Sequence, residues 1–186
     1  STVYNLRSVD GNHNFYANSF LVHNRCFVAG TQIEMANGIS KPIEEVQAGE
    51  EVRSVEFFEG EAKGEKVIHN PNPPFGFTTS VVESVKVSTV VDTYLVNWSG
   101  TKLVADEKTH LVDKFAHCTG EHPFYTNRGW VEAKNLVEGD QLAIMENNTW
   151  VTVTESLHMP GEQTVYNLIN VTPNNNYYAN GVLVHN

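Results

Sequence analysis

The chain holds 186 residues, 40% of them hydrophobic and 18% charged, a balance that suits a folded domain rather than a disordered segment. Its formal charge of −10 comes with no basic cluster, which argues against a nucleic-acid partner because phosphate contacts need grouped Lys and Arg. No stretch approaches the ~20 apolar residues of a membrane span, the first residues lack a signal peptide's basic-then-apolar order, and two cysteines cannot build a disulfide framework.

In chain order, the first phrase is "TVYNLRSVDGNHNFYANSFLVHN" (2–24). It returns at the end as "TVYNLINVTPNNNYYANGVLVHN" (164–186), with 15 of 23 aligned positions identical. Both copies close on His-Asn: His23 and Asn24 first, then His185 and Asn186. A packing repeat needs several copies and has no reason to keep that pair. The abrupt start and end read as a piece of a larger host protein.

"GTQIEMANGISKPIEEV" shows two alternating runs about "ANG", a hairpin signal, and "IEEVQAG" suits one helical turn before a strand. Residues 59–80, rich in Gly, Pro and Asn, read as a long loop. "VVESVKVSTVVDTYLVNW" and "TKLVADEKTHLVD" read as strands, being rich in Val and Thr. "HPFYTNRGWVEAKNLVEGDQLAI" echoes the earlier "IEEVQAGEEV" and suggests two related halves. "WVTVTESLHM" and "TVYNLINV" supply later strands, and "YYANGVLVHN" closes with an Asn-Gly turn and a strand. Many short strands with little helix indicate an all-β domain over 26–186, with 1–25 as a flanking segment.

Four places carry chemistry. Cys26 stands before a strand and a Gly turn, where its thiol can attack the carbonyl of Arg25 and turn the Arg25–Cys26 amide into a thioester. "CTGEHPF" sets Thr119 and His122 three apart, a spacing at which a tight turn aims both at one point. The His can donate a proton to the departing nitrogen, and the hydroxyl can hold the peptide. Asn186 can close its side-chain amide on its own carbonyl, with His185 protonating the leaving group. Asn167, in "VYNL", can orient water or the Asn amide near the first cysteine.

"CFVAGTQIEMANGISKPIEEVQAGEEV", "TGEHPFYTNRGWVEAKNLVEGDQL" and "TVYNLINVTPNNNYYANGVLVHN" resemble the three blocks of the Hint superfamily, which holds inteins, hedgehog autoprocessing domains and bacterial intein-like domains. "CFVAGT" with a final "VLVHN" is most similar to A-type bacterial intein-like domains and the Hint modules of polymorphic toxins. The resemblance implies a horseshoe-shaped, pseudo-two-fold β fold whose two ends meet centrally. It implies self-cleavage through Cys26, Thr119, His122, His185 and Asn186, without cofactor or metal. Asn167 stands where the family often has Asp, so a carboxylate's role there is lost. Splicing proper also needs Cys, Ser or Thr after Asn186, so cleavage is better supported than ligation. The implied partners are flanking segments of a bacterial host, with no compartment indicated.

The alternatives are a slow or inactive Hint-fold scaffold and a splicing-competent mini-intein. A metal module built on His117, Cys118 and His122 lacks a fourth ligand. A protease acting on other proteins would not place its nucleophile at the head of the domain. The doubled tail adds one more expectation, a homodimer in which residues 2–24 swap into the tail groove of a second molecule. There Ser19 replaces Gly181 at the turn and should fit less well.

Overall fold

The computed structural model describes residues 25–58, 72–99 and 115–186, together with the backbone of two strands before them. In chain order the strands are β1 (Asn14–Ala17), β2 (Phe20–His23), β3 (Phe27–Val28), β4 (Gln32–Glu34), β5 (Ser40–Pro42), β6 (Glu51–Phe57) and β7 (Phe75–Ser99). Then follow β8 (Phe115–Cys118), β9 (Pro123–Thr126), β10 (Gly129–Glu132), β11 (Gln141–Ile144), β12 (Thr149–Thr172), β13 (Asn176–Ala179) and β14 (Val182–His185). Among the described residues the helical segments are three single 3-10 turns. The fold is all-β, as the short Val- and Thr-rich runs require.

Two long strands organise the molecule. β7, of 25 residues, runs antiparallel to β12, of 24, from Ser99 opposite Thr152 to Val81 opposite Thr172. Register shifts near Val153 and at Pro160–Gln163 bend the ribbon, because an unpaired extra residue kinks a strand and increases its twist. Strands β3 to β14 form one sheet whose order is β5-β4-β13-β14-β9-β11-β12-β3-β8-β7-β6, with β10 paired to β9 off this path.

The internal echo is a structural repeat. The hairpin β4–β5, a 3-10 turn at Ile43–Glu45 and β6 match the hairpin β9–β10, a 3-10 turn at Ala133–Asn135 and β11. The hydrogen bonds repeat as well. Gly49 N–H donates to Val82 O at 2.7 Å and Gly139 N–H to Val153 O at 2.9 Å. Val82 N–H then donates to Glu50 O, and Val153 N–H to Asp140 O. Both turns put a glycine at positive φ, +84° at Gly49 and +96° at Gly139, where a side chain would be strained. In each, an acid accepts a backbone N–H three residues back and pairs with a base: Glu50 with Gln47 and Lys41, Asp140 with Val137 and Arg128.

Two sequence expectations change. Residues 75–80 are strand, because Phe75–Ser80 pairs with β6 from Phe57 back to Val52, and the β-favouring Phe and Thr outweigh the Gly and Pro beside them. The two runs "WVTVTESLHM" and "TVYNLINV" are one strand, since Pro160 falls at a register shift rather than at a break. The "TKLVADEKTHLVD" strand and residues 59–71 lie outside the described residues.

The chain's last strand is an interior one. β14 lies between β13 and β9 and also meets β11, with Val182, Leu183 and Val184 fully buried. Burying each such side chain is worth about 1.5–3 kcal/mol, which anchors the C-terminal residues. Its hairpin with β13 turns at Asn180 and Gly181, φ +48° and +81°, as a two-residue turn with both φ positive requires. β1 and β2 form the same hairpin apart from the main sheet. Asn14 lies opposite His23 as Asn176 lies opposite His185, and Ala17 opposite Phe20 as Ala179 opposite Val182.

Asp140 takes its depressed pKa first from the Arg128 guanidinium and then from the Val137 N–H, against its burial. Such a carboxylate stabilises the fold above the usual Asp range, and the contribution disappears as pH falls through its lowered value. Asp140→Asn should therefore cost about 1.5–3 kcal/mol at pH 7, the scale of hydrogen bonds to a charged group. In urea melts the gap between variant and parent should close toward pH 3.

Candidate functional site

The site forms where β3 begins and β14 ends. Phe27, first residue of β3, pairs with Tyr166 of β12 on one side and Cys118 of β8 on the other. Its buried ring locks the chain just after Cys26, with the His122 ring 4.1 Å away between centroids. Cys26 is held through its backbone. Its N–H donates to Thr119 Oγ1 at 3.0 Å, and its carbonyl accepts the Thr119 N–H at 2.9 Å. The nitrogen gripped by Thr119 is the one that would leave if Arg25–Cys26 broke.

A tight turn carries Thr119 and His122. His122 N–H donates to Thr119 O at 3.1 Å, and the turn is tied to the next segment by Lys134 N–H on Gly120 O and Ala133 N–H on His122 O. Gly120 is required by space, since a Cβ there would sit 2.8 Å from the Tyr94 ring. The turn thus brings Thr119 onto the Cys26 backbone and the His122 ring against Phe27, the next residue.

The other junction arrives from β14. Arg25 Nη1 donates to Asn186 O at 2.6 Å and lies 2.8 Å from His185 Nδ1. Residues 161 apart in sequence are joined by that one guanidinium. The Asn186 side chain is held on β12, where Oδ1 accepts the Val171 N–H at 2.9 Å and Nδ2 donates to Leu168 O. The Asn186 N–H donates to Asn175 O. Trp130 packs perpendicular to the His185 ring, with centroids 5.1 Å apart. Continuing the β3–β12 register by one residue sets Asn167 opposite Cys26. Asn167 is buried, and its Oδ1 has no hydrogen-bond partner among the described residues.

Comparison with known proteins fits this geometry. A family profile for the pretoxin HINT domain matches residues 79–186. The chain belongs to the pretoxin HINT family. Among solved structures, a bacterial intein-like domain from Clostridium thermocellum is similar at 27% identity and TM-score 0.64, covering 87% of this chain and 99% of that one. The gp41-1 intein aligns at 20% identity and TM-score 0.56 over 87% of this chain and 98% of its own. A DnaB intein from Synechocystis sp. PCC 6803 aligns at 16% and 0.60 over 86% and 96%. At those identities the two inteins show the shared fold. Comparison with functionally curated proteins finds no match.

Burial sets the electrostatics of this HINT site. Cys26 is 2% exposed and its thiol is pushed up to about 12, chiefly by desolvation, with the Lys86 cation pulling down and Glu121 pushing up. Cys118 is fully buried and likewise raised, and both thiols are free. His122 is driven well below the ordinary histidine range, first by burial and then by the positive Arg25 and by His185. The backbone of His185 pulls weakly the other way, too loosely placed to count as a hydrogen bond. Neither ring nitrogen of His122 has such a partner among the described residues. His122 is therefore neutral at pH 7.

All six side chains singled out from the sequence fall at this junction: Cys26, Thr119, His122, Asn167, His185 and Asn186. His23 belongs to β2, whose backbone alone is described, and Asn24 lies outside the described residues. Sequence reasoning missed Arg25 as more than a cleavage point, although its place beside the nucleophile was a usable signal. It also missed Trp130 and Lys86, which nothing local marks. His117 turns away to Thr93 Oγ1 at 2.6 Å. Among the described residues no three His, Cys, Asp or Glu gather as a metal site.

Thr119→Val keeps the side-chain shape but strands the Cys26 N–H, at an expected cost of about 1–3 kcal/mol in urea unfolding. The Cys26 amide should exchange with solvent faster than in the parent, and Thr119→Ser should restore both.

Proposed function

We propose that this HINT domain breaks its own backbone at Arg25–Cys26 by an N–S acyl shift and after Asn186 by cyclisation. The observation that supports this reading is the 2.6 Å contact from Arg25 to Asn186 O, which joins the residues flanking the two candidate bonds. Family membership and the fold support self-processing in general; the individual steps are our reading.

In the first step Cys26 Sγ attacks the Arg25 carbonyl carbon. The S–C bond forms, the C–N bond breaks, and the thiol proton ends on the Cys26 nitrogen. Thr119 holds that nitrogen throughout. A neutral His122 begins as proton acceptor rather than donor, taking the proton on its way to the nitrogen, which revises the role expected from sequence. Its empty ring nitrogens suit a transient partner, since buried polar atoms are otherwise paired. Asn167 supports this step only as a hydrogen-bond group, having no carboxylate to ionise. Water or an added thiol then opens the thioester.

In the second step Asn186 Nδ2 attacks its own carbonyl carbon. A succinimide closes, the bond to the following residue breaks, and one Nδ2 hydrogen passes to the leaving nitrogen by way of His185. Each domain carries out each step once. No nucleic acid or membrane enters the scheme, and the flanking segments are the substrates.

A slower reading has its own support in the Cys26 thiol at about 12, which leaves roughly one thiol in 10⁵ ionised at pH 7. Burial on this scale makes the domain a sluggish processor, with an inert scaffold as the limiting case.

The copied hairpin suggests competition for the tail groove. β1–β2 reproduces the β13–β14 register, but its Phe20 takes the place of the fully buried Val182 and its Ser19 that of Gly181 at φ +81°. The resident tail fits better and is tethered nearby, so exchange between molecules needs high protein concentration.

Incubation with dithiothreitol should yield a fragment beginning at Cys26 by mass spectrometry, and Cys26→Ala should abolish it. The rate should stay nearly flat from pH 7 to 9, because the thiol and the neutral His122 keep one protonation state across that range and the proton passes inside the site; a tenfold climb per pH unit would reject the His122 relay in favour of free thiolate, and no fragment at pH 9 would leave the inert scaffold. For the copied hairpin, sizing of the full chain should show a dimer that grows with concentration and is lost on deleting residues 1–24, whereas an unchanged monomer rejects the swap.

A further inference from the structure

Three atoms form a small triangle at the C-terminal junction, where Asn186 O, a terminal carboxylate oxygen in this chain, stands for the carbonyl oxygen of a peptide bond to a following residue. Asn186 O lies 2.6 Å from Arg25 Nη1 and 2.5 Å from His185 Nδ1, and those two nitrogens are 2.8 Å apart. A carbonyl oxygen is an acceptor only, so the arrangement is stable with two donors turned on it: a guanidinium N–H and, in the tautomer protonated at Nδ1, an imidazole N–H. Two bare acceptors at 2.5 Å would repel, and in this tautomer the 2.8 Å approach of Arg25 Nη1 to His185 Nδ1 brings two donors together and is not a hydrogen bond. We infer that Arg25, the residue before the nucleophile, is a catalytic residue of the C-terminal reaction, forming with His185 an oxyanion-stabilising pair at the Asn186 carbonyl.

The inference rests on the reading of Asn186 as a cleavage point. When Nδ2 adds to the carbonyl carbon, the carbonyl electron pair moves onto oxygen and the charge appears at the apex of the triangle. When the intermediate collapses, the C=O re-forms and the bond to the following nitrogen breaks. A fixed cation on that oxygen stabilises the charged state more than the neutral carbonyl, and a half-buried setting strengthens it relative to water. Burial lowers the Arg25 pKa, and the Glu132 carboxylate on β10 offsets part of that cost. Trp130 limits the rotation of the His185 ring from the other side.

Arg25 belongs to the flank, not to the domain that remains after cleavage. Breaking Arg25–Cys26 and opening the thioester carries the guanidinium away with the released flank. The C-terminal bond therefore breaks fastest while the N-terminal flank is still attached, either as amide or as thioester on Cys26. A contact of the flank thus imposes an order on two reactions that share no bond.

The test uses the full chain with a folded reporter fused after Asn186, in a Cys26→Ala background so that the flank stays attached. Reporter release is followed by mass spectrometry, with Asn186→Ala as the control that defines release by cyclisation. Arg25→Gln should slow release about 10- to 100-fold, at or below the loss seen when one oxyanion donor is removed, and Arg25→Lys should recover part of it. The ¹⁵N signal of His185 Nδ1 at constant pH should shift in Arg25→Gln, while the melting temperature stays near that of the parent. Equal release from the Arg25 and Arg25→Gln chains, with Asn186→Ala silent, overturns the inference and leaves the cleavage reading intact. Release from neither chain, or release that survives Asn186→Ala, overturns that reading and the inference with it.

Discussion

The site depends on the grip of one threonine on the backbone of one residue. Thr119 receives the Cys26 N–H on its hydroxyl and gives its own N–H to the Cys26 carbonyl, so both polar groups of the nucleophile's backbone are fixed by a single residue. The Thr119 turn is in turn fixed by Gly120 against Tyr94 and by backbone bonds from Ala133 and Lys134. Without that grip Cys26 would be left with unpaired backbone polar groups, which cost about 1–3 kcal/mol apiece. The geometry that would strain and release the Arg25–Cys26 bond is therefore also the geometry that satisfies it at rest.

The pseudo-two-fold arrangement explains why the site is central. Each half lays a hairpin, a 3-10 turn and a strand on one arm of the β7–β12 ribbon, using the same Gly and the same acid (Gly49 with Glu50, Gly139 with Asp140) to dock on Val82 or Val153. The chain's first structured strand after Cys26 and its last strand before Asn186 are both interior, bordered on each side. Interior strands are paired on both edges and buried on both faces. Junction residues at their tips inherit that rigidity, while Arg25 spans the space between them.

Burial sets the pace as well as the place. The same desolvation that excludes water from Cys26 and His122 keeps the thiol protonated and the imidazole neutral. Lys86, acting on Cys26 from β7, offsets the burial only in part.

The sequence by itself settled the all-β class, the two halves and the Asn180–Gly181 turn, and it named six side chains that the fold gathers near the junction. Each of these is written in short spacings: Gly at a positive φ, Thr and His three apart, alternation in the strands, a terminal His-Asn. It did not reveal that Phe75–Ser80 is strand, because the pairing with β6 is long-range and outweighs local Gly and Pro. Nor did it reveal that His122 is neutral, or that Arg25 reaches the Asn186 carbonyl. Protonation follows from desolvation, and desolvation depends on what packs overhead, including Phe27 and Tyr177 from distant strands. Contact between residues 161 positions apart follows from how the sheet closes, and only the tertiary structure decides that.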